Sequence, residues 1–578
     1  MDFKKLADKL YKNVTTTPEY YFSQYPARKL APGAEVTRTA PSPTGFYHSG
    51  SLFGAMIDKF LAAKTNGIFY LRIEDTDQKR KIEGAADVAY HSLCKFNTKP
   101  DEGFMGEGKD QVGDYGSYIQ SERLEIYQAF AKRMVELGRA FPCFCKQTEG
   151  KEDVKKRREE QLEESGEIID KDPCRDLTFA EIELNLKLGK TWALKLRSNG
   201  DPDKTYEFVD LIKGKRTLHQ NCKDVVLMKS NGIPPYGFAH VVDDTLMHTT
   251  TVVRGEEWWP STNAHLEIFE ALGITPPKFA HHPVVCKLDN TTGNKRKLSK
   301  RYDPEADASF FVKEGYPTTA LNEYLLNLIN SDFENWRKAN PDLPYTDFPF
   351  SIKKISSSNP MFDLVKINDI SKNIISKIPA KELLRNIVDW ANEFDPTLAK
   401  ILLANQEKAE NLLRVDREND RPRKDIAHYS EFKNIYPYIF NEYYDPNTSL
   451  SFDEKFASKD ITTLLDKYIS VYSEEDDKQT WFEKIKTVAS ECEFVDMKTY
   501  KANPTAFKGN IADASNIIRV AVTGKTTTPD LYEIMKLLGK TEIINRLTFV
   551  SNRLNCPGIC VTSEERPNLC FFRHYNMV

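Results

Sequence analysis

The stretch from Glu35 to Asp75, "EVTRTAPSPTGFYHSGSLFGAMIDKFLAAKTNGIFYLRIED", constrains the fold of this chain most tightly. "EVTRTA" reads as a short strand that ends in a proline-rich turn. "LFGAMIDKFLAAKTNG" carries apolar residues at Leu52, Ala55, Met56, Phe60 and Ala63, a helical spacing, with Asn66-Gly67 as its stop. "IFYLRIED" reads as a buried strand. Strand, crossover helix and strand make a βαβ unit, and that unit requires a parallel sheet.

The loop inside this unit holds one histidine. Where a strand turns into a helix, backbone N–H groups and the positive helix end converge on one point, which suits an anion. Gly50 has no Cβ to keep a flat ligand away, and His48 adds a hydrogen-bond donor. A nucleotide fits these features. Taken alone, the loop is explained as well by an ordinary βα turn with a satisfied surface histidine. Far downstream stands "NKRKLSKRYD", with Lys297, Leu298, Ser299, Lys300 and Arg301. Alone it is a solvated basic loop. Together the two segments solve one problem. Attack on the α-phosphate of ATP spreads negative charge over phosphoryl oxygens, and a mobile lysine loop acting with Mg²⁺ stabilises that charge on closing.

At 578 residues the chain predicts roughly three to five structural units. Its formal charge of -4 excludes a global basic field, so nucleic acid must be met by local patches. Ten scattered cysteines indicate a reduced compartment rather than a disulfide framework. No apolar run of about 18 residues is present, so no membrane partner is expected, and "MDFKKLADKLYKNV" lacks a secretory core. A cytoplasmic location is the expectation. Residues 151–165 read as a charged helix. "PYGFAHVVDDTLMHTTTVVRGEEW" alternates strand and turn signals around Asp243-Asp244, and 317–331, 379–394 and 400–415 read as helices.

"APSPTGFYHSGS" resembles the HIGH-type signature of class I aminoacyl-tRNA synthetases, with His48-Ser49-Gly50-Ser51 at its core, and "KLSKR" resembles their KMSKS signature. "RTAPSPTG", "RIEDTD" and "VVRGEEW" are together similar to the glutamyl-tRNA synthetases, while "NPMFDLVKINDIS" and "IRVAVTG" resemble the helical C-terminal half of the bacterial type. The resemblance implies a multidomain chain. An N-terminal extension (1–35) would precede an α/β Rossmann-like catalytic domain (36–122 and 231–290), split by an α+β acceptor-binding insertion (123–230). A KMSKS loop and stem-contact region (291–375) and an all-α anticodon-binding domain (376–550) would follow, then a tail of open role (551–578). It implies catalytic roles for His48, Gly50, Lys297 and Lys300, and ATP contacts from these with Ser51 and Ser299. Glutamate would meet Arg38, Ala40, Ser42, Glu74, Tyr236, His240 and Arg254; His240 departs from the family's frequent Asn. Two arginines suit the two carboxylates of glutamate, and Glu74 suits its ammonium. Alone, Arg254 and Glu74 read equally well as a strand-end ion pair.

The resemblance implies glutamate, Mg²⁺-ATP and tRNA-Glu as partners, with tRNA-Gln as a further candidate, and a monomer. In some relatives a Cys-x-Cys with a later Tyr and Cys binds zinc. Here Cys143, Cys145 and Cys174 remain and Asp170 takes the tyrosine place, so zinc and a metal-free relic both stay open. A second set, Cys556, Cys560, Cys570 and His574, matches no zinc spacing, and ordinary tail cysteines explain it. Lys155–Arg158, Lys353, Lys354 and the Arg414–Lys424 stretch are candidate phosphate contacts, each otherwise a solvated face. The alternatives are a short paralogue that glutamylates a modified tRNA base, a small-metabolite nucleotidyltransferase, and a catalytically inactive tRNA-binding or regulatory paralogue. The first two need no long segment after "KLSKR"; the third predicts loss of the charged residues.

Overall fold

The computed structural model describes residues 1–145, 172–289, 291–299 and 301–555. The chain divides at Ile370/Ser371 into two compact units.

The first unit contains the expected βαβ. Strands Val36–Thr39 and Ile68–Leu71 pair in parallel, Val36 opposite Ile68 and Thr39 opposite Leu71. Helix Ser49–Lys64 connects them. It ends where Asn66 takes a left-handed φ of 52°. Gly67 follows because a Cβ there would stand 1.9 Å from the Glu35 carbonyl oxygen. A short strand, Glu102–Gly103, extends this half-sheet in parallel.

A second half-sheet pairs Thr251–Gly255 with Lys278–His282, also in parallel. Hairpin Thr205–Asp210/Gly214–His219 joins its edge through Phe279 opposite Asp210. The halves meet along Val36–Thr39 and Thr251–Gly255. At the base of the seam the Thr250 N–H donates to the Val36 carbonyl at 3.0 Å. Farther along, the Arg38 guanidinium donates to the Val253 carbonyl at 3.1 Å. Parallel strand order reverses at this seam, which is where doubly wound sheets open a binding crevice. A three-stranded antiparallel sheet, Ala140–Cys143, Ala193–Leu196 and Val226–Met228, lies in the inserted segment. The N-terminal helix Phe3–Leu10 adds Leu6 and Ala7 to a core shared with Phe130, Met134 and Leu194.

One expectation fails here. The segment read as strands and turns around Asp243-Asp244 forms helix Tyr236–Leu246, and a strand begins only at Thr251. The helix is buried nearly all round: Phe238, Ala239, His240, Val241, Val242, Asp243, Asp244 and Leu246 are all interior. It therefore has no polar face, and the period that marks a surface helix is absent.

Its two carboxylates are neutralised within the core. Asp243 accepts from Arg123 Nε and Tyr127 Oη at 2.7 and 2.8 Å. Asp244 accepts from Arg72 Nη1 at 2.7 Å and Arg38 Nε at 3.1 Å, tying both paired strands of the first half-sheet to this helix. Burial opposes the charge of Asp244, but Arg38 and Arg72 hold its carboxyl well below the usual carboxylate range.

The second unit is mostly helical. Ala380–Phe394, Pro396–Ala404 and Gln406–Arg414 surround one core, and Ser458–Val471, Lys478–Glu491, Ile511–Thr523 and Lys540–Asn555 surround another. The stretch read as one helix over 400–415 breaks at Asn405, which flanks both helices there. Two basic residues of the Arg414–Lys424 stretch are internal rather than solvated. Arg417 donates to the carbonyls of Leu413 and Ile375 at 2.8 and 2.7 Å, and Arg423 pairs with Asp425 at 2.7 Å. They cap carbonyls and fill space, so they are removed as phosphate contacts. The charged segment at 151–165, with Lys155–Arg158, and the tail set Cys556, Cys560, Cys570 and His574 lie outside the described residues.

Removing the Asp244 carboxylate leaves two interior guanidinium groups without their counter-charge. Asp244→Leu is expected to destabilise the first unit by about 3–5 kcal/mol. Urea unfolding followed by tryptophan fluorescence measures this; an unchanged midpoint contradicts it.

Candidate active site

A cavity of about 650 Å³ opens at the seam. Arg38, Ala40 and Ser42 reach it from the end of the first strand and its loop. His48, Gly50 and Ser51 reach it from the helix start. Glu74, Tyr236, Arg254 and Lys297 complete the set from four later elements.

His48 is the N-cap of helix Ser49–Lys64, and its Nδ1 accepts from the Gly50 N–H at 2.8 Å. That bond makes Nδ1 the acceptor, so the neutral ring carries its proton on Nε2. Gly50 is constrained by the same contact, because a Cβ there would stand 3.0 Å from His48 Nδ1. Capping thus explains the histidine in the tight turn: the ring serves the helix with one nitrogen and keeps the other as a donor.

The lysine segment is tied to this turn. Leu298, 2 % exposed, packs in the core that holds Tyr47, Leu52 and Phe53. Arg296 grips Asp303 with both Nη atoms, at 2.5 and 2.9 Å, and the Ser299 N–H donates to the same carboxylate at 2.8 Å. Ser49 Oγ then donates to the Glu305 carbonyl at 2.7 Å, and the Ala308 N–H to the Tyr47 carbonyl at 3.1 Å. Lys297 Nζ pairs with Glu257 Oε1 at 2.6 Å, with both side chains about half exposed. Burial raises the Glu257 carboxyl, but the Lys297 hydrogen bond and charge, a backbone hydrogen bond and His282 together outweigh this and lower it. Such an exposed pair is worth only about 0–1 kcal/mol, so the lysine is easily exchanged onto a stronger anion.

Two matches bear on the family. Residues 35–335 match the family of class I tRNA synthetases (E and Q), catalytic domain. The chain belongs to this family of class I tRNA synthetases. In this synthetase a second match, to an anticodon binding domain, covers residues 382–550. A glutamate–tRNA ligase from Acetivibrio thermocellus is 43 % identical over 555 residues, covering 95 % of this chain and 99 % of that one. One from Clostridium perfringens strain 13 is 40 % identical over 556 residues, covering 95 % and 100 %. The crystal structure of a glutamate tRNA ligase from Elizabethkingia meningosepticum, in complex with its amino acid, superimposes with a TM-score of 0.68. It is 24 % identical and covers 90 % of this chain and all of that one, and so speaks to the fold.

Several expected site residues of the synthetase are placed otherwise than the sequence suggested. His240 does not line the cavity. It lies behind Tyr236, ring centroids 4.7 Å apart, with Nδ1 donating to Asp244 at 3.1 Å. Its position one helical turn after Tyr236 turns it into the core. Tyr236 also meets the tilted Trp258 ring, centroids 4.2 Å apart. Arg254 and Glu74 do not form the ion pair that their sequence positions allowed. Glu74 accepts from Arg72 at 2.8 Å, while Arg254 donates to His281, His265 and Thr262, with the Phe279 ring centroid 4.9 Å from its guanidinium and Tyr236 beside it. Burial raises the Glu74 carboxyl despite Arg72 and Arg38. Ser299 packs in the loop and is not part of the cavity wall. Lys300 and Asp170 lie outside the described residues.

Among the described residues the carboxylate beside the cysteines is Asp172, two positions beyond the Asp170 of the sequence reading. Ligand atoms of Cys143, Cys145, Asp172 and Cys174 all lie within 4.8 Å of one another. Asp172 caps the short helix Pro173–Asp176 through the Cys174 N–H, and that cap brings it to the thiols.

Sequence reasoning missed Asp58, Lys229 and His282, which also line the cavity. Asp58 sits inside an amphipathic helix pattern and reads as its polar side, yet it is 2 % exposed. Its Oδ1 has no hydrogen-bond partner among the described residues, and burial raises its carboxyl well above the usual range.

Burial lowers the His240 imidazole to about 4 against the Asp244 hydrogen bond, from an ordinary 6.5. The folded state keeps the ring neutral while the unfolded chain protonates it. Stability is therefore lost as pH falls from about 6.5 toward 4, by roughly 2 kcal/mol at pH 5 through this group. The urea midpoint should drop between pH 7.5 and pH 5, and His240→Asn should shrink that drop; equal drops in both proteins contradict the assignment.

Proposed function

We propose that this synthetase is a glutamate–tRNA ligase. It forms glutamyl-adenylate from glutamate and ATP and transfers glutamate to the 3′ end of tRNA-Glu. The observation that carries the reading is one cavity holding two guanidinium groups beside a capped histidine and a lysine loop. Arg38 and Arg254 suit the carboxylates of a dicarboxylic amino acid. Glu74, beside them, suits its ammonium. ATP lies with its ribose and base over Gly50 and Ser51 and its phosphates toward His48.

In the first step an oxygen of the glutamate α-carboxylate attacks the α-phosphorus, the bond to the β-phosphate breaks, and pyrophosphate leaves. Mg²⁺ bound with ATP neutralises phosphate charge. His48 donates through Nε2 to a phosphoryl oxygen, and Lys297 leaves Glu257 for the same developing charge, with Lys300 as a second cation. The terminal ribose hydroxyl of tRNA then attacks the activated carbonyl, and AMP leaves. No side chain becomes covalently attached.

The cysteine cluster suits a structural zinc ion, held by Cys143, Cys145, Asp172 and Cys174, which would pin the inserted sheet. Burial and the Asp172 hydrogen bond push the Cys143 thiol up, so zinc must displace protons and binds better as pH rises. Purified full-length protein should contain about one zinc per chain, lost in Cys145→Ser; a metal-free preparation grown with zinc overturns this site.

Pyrophosphate exchange dependent on glutamate, run with and without tRNA, together with charging of purified tRNA-Glu, tests the main reading. Absence of both activities overturns it in favour of an inactive tRNA-binding paralogue. His48→Asn keeps an acceptor for the Gly50 N–H but loses the Nε2 donor. It should slow exchange about 10²-fold with an unchanged melting temperature.

A further inference from the structure

The two arginines of the cavity are held in opposite ways. Arg38 faces the Asp244 carboxylate and is charge-compensated by the protein. Arg254, 6 % exposed, donates from Nε to His281 Nε2 at 2.9 Å, from Nη1 to His265 Nδ1 at 3.1 Å and from Nη2 to Thr262 Oγ1 at 2.9 Å. No carboxylate stands within ion-pair distance of it among the described residues.

Both rings are fixed as acceptors toward the guanidinium. His281 Nδ1 lies 2.7 Å from Asp210 Oδ2, and an ionised carboxylate only accepts, so Nδ1 carries the proton and Nε2 presents a lone pair. His265 faces an Arg254 N–H with Nδ1, so its proton sits on Nε2. Gly237 leaves room for that edge: a Cβ there would stand 3.1 Å from His265 Nε2. Burial lowers both imidazoles, with the Arg254 charge adding to the effect, so each stays neutral. Three acceptors therefore aim the guanidinium fork, and none cancels its charge. An interior cation without a counter-ion is costly, and an incoming anion relieves that cost.

We propose that His265 and His281 are positioning residues that set Arg254 for a substrate carboxylate while leaving its positive charge to be neutralised by that substrate alone. Thr262 completes the set, and Asp210 acts through His281 by fixing its tautomer. This rests on the reading of the cavity as a glutamate site. It adds a specificity device: affinity for the second carboxylate comes from withholding an internal counter-ion, as a neutral acceptor does and a carboxylate would not.

The full-length protein is assayed by glutamate-dependent pyrophosphate exchange with tRNA present, reading KM for glutamate and for ATP separately. His265→Asn keeps an acceptor at the Nδ1 position and should stay within about three-fold of the parent KM for glutamate. His265→Leu removes the acceptor and should raise that KM about ten-fold or more, with KM for ATP unchanged. His265→Asp restores an acceptor but adds a counter-ion to Arg254. It should keep the parent melting temperature and still raise KM for glutamate at least as much as Leu. His281→Gln, which keeps an acceptor at the Nε2 position, should again spare it. His265→Asp with a parent-like KM for glutamate overturns the proposal, as does a rise in KM for ATP equal to that for glutamate. If the Leu variant does not fold, the Asp variant decides. A parent protein inactive with glutamate and tRNA overturns the functional reading and this inference with it, whereas an active parent with an insensitive Asp variant overturns the inference alone.

Discussion

The catalytic unit depends on the Asp244 carboxylate. It accepts from Arg38, on the first strand, and from Arg72, just after the second, while sitting on a helix of the other half-sheet. Each of these charges would be prohibitive in the interior alone. Together they hold the seam together at the level where ladder hydrogen bonds give way to side chains. The crevice that a doubly wound sheet offers at its switch point is thereby given a floor of fixed polarity.

Around that floor the charges differ in how firmly the protein holds them. Arg38 is committed to Asp244, Arg254 hydrogen-bonds neutral partners among the described residues, and Lys297 rests on a half-exposed carboxylate. The gradation suits a sequence of anions arriving at one cavity: carboxylates that must be bound, and phosphoryl oxygens whose charge rises only during reaction. The Ser49–Glu305 tether to the helix start, with Arg296 and Ser299 gripping Asp303, keeps the segment in register with His48 while Lys297 rests on the half-exposed Glu257.

Elements with a strong local signature were legible in the sequence. The βαβ unit appears where the apolar period placed it, down to the Asn66-Gly67 stop, because helix spacing, cap and turn chemistry all agree there. Helix Tyr236–Leu246 was not legible, since a segment buried on every side carries no amphipathic period. His240 was placed in the pocket through the family resemblance, whereas its ring is interior. The cysteine cluster was found through its thiols, and among the described residues the carboxylate beside them is Asp172. The cap formed by Asp172, rather than the spacing, selects the partner.

The sequence by itself determined the class of sheet, the histidine turn, the distant lysine segment and the family, because these are written in local spacing and in short motifs. Only the tertiary structure decided which charges neutralise one another. Arg38, Arg72 and Asp244 are far apart along the chain, and so are Arg254 and His281. Their pairing follows from strand register and helix packing, and in a low-dielectric interior a shift of a few ångströms separates a bound ion pair from a cation held by neutral acceptors.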